Sequence, residues 1–498
     1  MVKKENLFGQ FPPVTTKEWM AKIHCDLKGA DFREKLVWKT NEGFDVMPFY
    51  RMEDVENLSY ADTLPGEYPY LRGTKIRNNN WFVRQNIEVT DYSEANRKAL
   101  TVLMKGIDSL GFIISDPETV NKSNFEILLK DIHIEIVEIN FLCNGKAKEI
   151  TELLSFIVTK RGLDPNNIRG AVEVDPISRL MVNGKLCVST EDGFNYLAAY
   201  TQDASKMTNL RTIHLNASHF RNAGGDIVQE LAFGLSMASE YITQLTDRGL
   251  SASLAASKIR FSFGTGSDYF SEIAKLRAAR LLWSTVQKGF NLSDTESVKM
   301  EIHCVTAEWN KTIYDPFVNM LRTQTEAMSA ILGGTDSLTV EPFDIPFRKP
   351  DEFSERIARN QQLILKEEAY FDKVADPAAG SYYIENLTNL VAENAWKLFI
   401  EIEKKGGFLS SLKEGFIQKM LSESAAKRQK DFVNGKLKLL GSNLFPDMNE
   451  KVLSQIEPDT VFQNKEYESD LMIDPIRLFR ISAEYEAVRI EQETGTKI

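Results

Sequence analysis

The stretch IRFSFGTGSDYFSEIAKLRAARLLWSTVQKGFNLSDTESVKMEIHCVT (259–306) decides the fold. Its opening residues alternate in the manner of a strand. DYFSEIAKLRAARLLWSTV (268–286) then carries apolar residues at helical spacing, and MEIHCVT (300–306) returns to a β-type run. A strand, a helix and a second strand with no hairpin signal between them describe one parallel βαβ unit.

The same rhythm extends both ways. Upstream lie LGFIIS (110–115), IEIVEINFL (134–142), IRGAVEV (168–174) and RTIHLNA (211–217), and downstream SLTVEP (337–342). Helical segments lie between them, among them KEITELLSFIVTKRG, DIVQELAFGLSMASEYITQL and EFSERIARNQQLILKEEAYF. A short run, KVADP (373–377), is the weakest strand and would be the eighth. The expectation is an α/β protein, a (β/α)8 TIM barrel over residues 96–420, with a doubly wound open sheet as the alternative. Residues 1–95 form an extended N-terminal arm whose aromatics, Trp19, Trp38, Phe49, Tyr50, Tyr70 and Trp81, need a surface to pack on. Residues 421–498 read as a C-terminal helical extension.

Strands of a parallel barrel are normally apolar on both faces. Here several alternate. Arg260 and Ser262 oppose Ile259, Phe261 and Phe263, while His214, Asn216 and Ser218 oppose Ile213, Leu215 and Ala217. Arg169, Ala171, Glu173 and Asp175 share one face, as do Ser337, Thr339 and Glu341. The outer helices demand apolar partners, so the polar sets point into the lumen. Two readings follow: a lumen that admits an extended polar molecule, or one closed by its own network of Glu, Arg, His and Ser.

Composition excludes several function classes. Sixty basic residues against 71 acidic ones leave a net charge of −11, unlike a general nucleic-acid or anionic-membrane surface. No apolar run is long enough for a membrane span, and MVKKENLFGQFPP has no apolar stretch of the kind a secretory signal needs. Four scattered cysteines without a CxxC pair suit a reducing cytoplasm. The five histidines fall in no metal-ligand array, so no metal site is expected. DIHIEI (131–136) reads as a structural histidine at a strand start. FGTGSD (263–268) lacks the third glycine of a dinucleotide motif, though an anion could sit on the helix that follows.

Several further segments carry a family resemblance. PYLRG (69–73), WFVRQ (81–85), ASHFRNAGGDIVQELAF (217–233), RFSF (260–263), RTQTEAMSAILGGTDSL (322–338), ARNQQLILKEEA (358–369) and DPAAGSYYIENLT (376–388) together resemble the barrel region of methylmalonyl-CoA mutases. The resemblance implies a barrel threaded by a CoA thioester and capped by a cobalamin-binding domain, with adenosylcobalamin triggering a radical rearrangement. It also implies substrate or CoA contacts at Arg84, Glu173, Ser218, Arg260, Ser262 and His303, and thioester polarisation by His219.

The departures are specific. Asn86 stands where catalytic members place a tyrosine between cofactor and substrate, and Ser218 replaces the tyrosine beside the retained His219. Glu173 replaces an amide, and Asn183 lies where an arginine should bind the substrate carboxylate. The signature histidine of the cobalamin domain has no counterpart after His303, and RISAEYEAVR resembles the linker into that domain, as if the chain were a piece of a longer subunit. The pattern resembles a small, non-catalytic subunit that pairs as a heterodimer with a large catalytic one through its arm, the partner binding the cofactor. The alternatives are a catalytic acyl-CoA mutase subunit whose cobalamin domain is a separate chain, and a stand-alone CoA-binding or scaffold barrel.

Overall fold

A computed structural model describes residue 11, residues 13–457 apart from 59, 61 and 144, residue 460 and residues 470–494. Eight parallel strands close into a barrel. They are β1 (Phe82–Glu88), β2 (Ser109–Ile114), β3 (Glu138–Cys143), β4 (Gly170–Val174), β5 (Leu210–Asn216), β6 (Ile259–Thr265), β7 (Glu301–Thr306) and β8 (Ser337–Thr339). β8 pairs with both β7 and β1, which completes the ring.

The expected TIM barrel is therefore present, with one strand reassigned. The missing strand is WFVRQ and its continuation, assigned above to the arm, and the barrel begins before residue 96. Lys373–Pro377 is no strand. Asp376 takes a positive φ of 45°, which a strand does not accommodate, and its carboxylate meets the Arg72 and Arg277 guanidiniums. The helix Phe416–Val433 runs straight through the expected boundary at 420.

The helices form because their caps and apolar faces agree. Asp226 and Gln229 make a reciprocal capping box at the start of Ile227–Thr246, and Asp351 with Ser354 does so for Glu352–Leu363. Ile227–Thr246 is almost wholly buried, because Tyr269–Gly289, Tyr382–Lys404 and Phe408–Lys413 pack around it. Phe261 faces outward onto Trp283, ring centroids 4.9 Å apart, which fixes Arg260 and Ser262 on the opposite, inner face. The main core is thus the shell between strands and helices.

The arm behaves differently. Its helix Thr16–Asp26 buries no residue. Trp81, now a barrel residue, is 2% exposed, whereas Trp19 and Trp38 remain 48% and 47% exposed on this chain. Among the described residues no helix is long and apolar enough to cross a membrane, and all four cysteines are free.

Candidate functional site: the barrel lumen

The inner faces of the strands bring together most of the residues singled out from the sequence. On β1, Arg84 points inward and donates from Nε to Asn86 Oδ1 (3.0 Å) and from Nη2 to Glu173 Oε1 of β4 (3.0 Å). His214 of β5 places Nδ1 3.4 Å from the same Glu173 oxygen. Burial pushes Glu173 up, but His214 in its protonated form, Arg84 and Arg260 hold its carboxyl below the usual range. Burial takes His214 down to about 4, so near neutral pH its imidazole is uncharged and the guanidiniums hold Glu173 ionised.

His303 of β7 sits beside this group, its ring centroid 6.1 Å from that of His214. Its Nδ1 is 2.8 Å from Ser337 Oγ and its Nε2 3.3 Å from Thr339 Oγ1, both on β8. Burial drives its pKa well below the ordinary histidine value.

A second layer fills the lumen toward the strands' N-terminal ends. Arg260 of β6 donates to Glu301 of β7 (Nε to Oε1, 2.6 Å), meets Glu138 of β3 (3.3 Å) and bonds Asn140. Arg211 reaches the other oxygen of Glu301 at 2.7 Å. Ser109 of β2 donates to Glu138 at 2.9 Å. Arg260 is 1% exposed and Asn140 fully buried. Of the two readings of the polar faces, the geometry matches a lumen closed by its own charges: each named guanidinium meets a carboxylate.

Packing requires this closure at one point in particular. A Cβ on Gly111 of β2 would collide with Asn86 Oδ1 and crowd the Arg84 guanidinium, so the missing side chain gives Asn86 its place.

The remaining sequence candidates fall elsewhere. Ser218 and His219 open the short helix Ser218–Asn222 beyond β5; Ser218 donates to Asn216 Oδ1 at 2.6 Å, and His219 is half-buried. Ser262 is buried on the inner face. Asp175, grouped with Glu173 by alternation, instead leaves the lumen. It caps Pro176–Asn183 and accepts from Tyr241 and from the amides of Ser178 and Asn216. His133 lies in a turn before β3, exposed and bonded to Glu135 at 3.1 Å, so DIHIEI does not open the strand.

The FGTGSD segment is not free for an anion. The amides of Gly264 and Gly266 already donate to the carboxylates of Glu230 (2.7 Å) and Glu272 (3.0 Å), and Lys275 pairs with both acids in full burial.

Sequence reasoning missed Glu138, Asn140 and Glu301, the counter-groups of Arg260. The signal was available, because Glu138 alternates with Asn140 in IEIVEINFL and Glu301 with His303 in MEIHCVT.

Comparison with known proteins bears on what this lumen descends from. Residues 39–121 and 118–472 match the family model for methylmalonyl-CoA mutase. A methylmalonyl-CoA mutase small subunit of Porphyromonas gingivalis is 45% identical, over 99% of this chain and 79% of that protein. The methylmalonyl-CoA mutase of Rhizobium meliloti is 33% identical over 89% of this chain, and the mitochondrial enzyme of Homo sapiens 32% over 91%. The chain spans 66% and 63% of those two proteins, less than two thirds of each.

Proposed function

The chain belongs to the methylmalonyl-CoA mutase family, and from that premise we propose that it is the small, non-catalytic subunit of a heterodimeric, adenosylcobalamin-dependent methylmalonyl-CoA mutase, the complex interconverting methylmalonyl-CoA and succinyl-CoA. The observation that carries the reading is the lumen. A CoA thioester threaded along the axis would have to break the Arg84–Glu173 and Arg260–Glu138–Glu301 pairs and leave buried charges unmatched, at a cost of several kcal/mol per charge. Arg84, Glu173, Arg260 and His303 thus serve the fold in place of a substrate.

The residues of this chain do not fit adenosylcobalamin, which we assign to the partner. The position that resembles the family's tyrosine holds the Asn86 carboxamide, tied to Arg84 and packed on Gly111, and it offers no phenol. His214 and His303 are engaged inside the lumen, and burial lowers the affinity of both for protons.

The partner contact is assigned to the N-terminal arm. Trp19, Trp38, Met52 and Ile76 expose 47–69% of their surface on this chain alone, and large aromatics of this kind anchor protein interfaces. A cytoplasmic location goes with this reading.

The test is turnover of methylmalonyl-CoA by the reconstituted pair with adenosylcobalamin. Turnover unchanged by His219→Ala supports a chain without chemistry. A loss of a hundredfold or more in a folded, assembled variant would return the catalytic role to this subunit.

A further inference from the structure

The open end of β1 and β8 holds a cavity of about 370 Å³ that the lumen network leaves unused. Ile107, Ile113, Pro342 and Ile345 give it apolar walls, and four cations line it: Arg84, Lys98, Lys349 and Arg359. Three of these have acids. Lys98 pairs with Glu355 at 2.6 Å, Lys349 with Glu88 at 2.5 Å, and Arg84 with Glu173.

Arg359 differs. It is 6% exposed, its Nη1 makes one long bond to Gln85 Oε1 (3.3 Å), and its Nε is buried without an acceptor. Glu355, one turn earlier on the same helix, spends its two oxygens on Lys98 and on Gln85 Nε2. Arg84, which also lines the cavity, has its Nη1 buried with no acceptor among the described residues. Glu355 and Glu352 attract the Arg359 guanidinium only from a distance; a buried guanidinium with no carboxylate in contact is costly, and an anion entering the cavity would lower that cost. Glu341, on the same wall, is pushed by burial to about 7, so around neutrality it can donate a proton to a bound carboxylate oxygen instead of repelling it.

We propose that this cavity binds a short-chain aliphatic carboxylate, its charged end paired with Arg359 and its alkyl body lying on Ile107, Pro342 and Ile345. The apolar walls favour an acid with a hydrocarbon tail over a bare inorganic anion. The site stands whether or not the subunit takes part in catalysis.

Calorimetric titration of the full chain with sodium butyrate tests it, with 1-butanol and inorganic phosphate as comparison ligands. Butyrate binds saturably at one site per chain; the alcohol and phosphate do not. Arg359→Met weakens butyrate at least tenfold, while the thermal midpoint of the unliganded chain holds or rises, because an unmatched buried charge has gone. Ile345→Trp, which fills the cavity and leaves every charge in place, also weakens it at least tenfold. The proposal is overturned by the absence of saturable butyrate binding, by phosphate binding as tightly as butyrate, or by either folded variant retaining wild-type affinity.

Discussion

Arg84 Nη2 and Glu173 Oε1 meet 3.0 Å apart inside the barrel, with 2% and 8% of their side chains accessible. They come from strands that are not neighbours in the ring, so the pair spans the lumen and ties β1 to β4. Such a pair adds little net stability over an apolar filling, but breaking it from one side is severe.

Asymmetry is therefore the expected result of mutating it. Arg84→Met leaves Glu173 with its main counter-charge gone and destabilises the chain by about 3–5 kcal/mol. Adding Glu173→Leu restores most of that loss, since two apolar side chains of similar size replace the pair. Urea denaturation of the two single variants and the double variant reads the cycle, and additive losses would show that the residues do not act as a pair.

Gly111 gives a second prediction, about shape. Gly111→Ala forces Asn86 and Arg84 to move and lowers stability by about 1–3 kcal/mol. Asn86→Ala in the same chain opens the space and recovers part of the loss. If Gly111→Ala proves neutral alone, the close packing described for the lumen is wrong.

The histidines predict a pH window. His214 binds its proton near pH 4 in the folded chain, against 6.5 as its ordinary value, and His303 is shifted the same way. Between those values the unfolded chain takes up protons that the folded chain refuses. Stability is thus complete above the ordinary value and falls as pH drops through the window. His214 alone accounts for a loss on the order of 3 kcal/mol across it. Glu173, whose pKa is lowered, loses its contribution only at pH values below the ordinary carboxyl range. Unfolding free energies at about pH 7 and about pH 5 should differ markedly for the wild type and less for His214→Gln; equal slopes would exclude His214 as the cause.

The strand-and-helix rhythm was legible because alternation and helical period are local. Arg260 and Ser262 could be placed inward once Phe261 and Phe263 were recognised as the face the helices cover. β1 was harder to find. WFVRQN follows a turn-rich stretch, and its place in the sheet, between β2 and the β8 strand some 250 residues on, marks it as a strand. KVADP misled for the opposite reason: its composition suits a short strand, but Asp376 is committed to Arg277 and Arg72, partners distant in sequence. The same limit applied to the lumen. Alternation gave the list of polar groups, while the question of open or closed depended on Glu138 and Glu301 meeting Arg260 across strands.

Titration of the chain with methylmalonyl-CoA, followed by heat release, bears most directly on the claim that the lumen is closed by its own charges. No saturable binding is expected to the wild type, and none to Arg260→Gln. One-to-one binding that Arg260→Gln weakens would contradict it, by placing the thioester where Glu138 and Glu301 now hold that guanidinium.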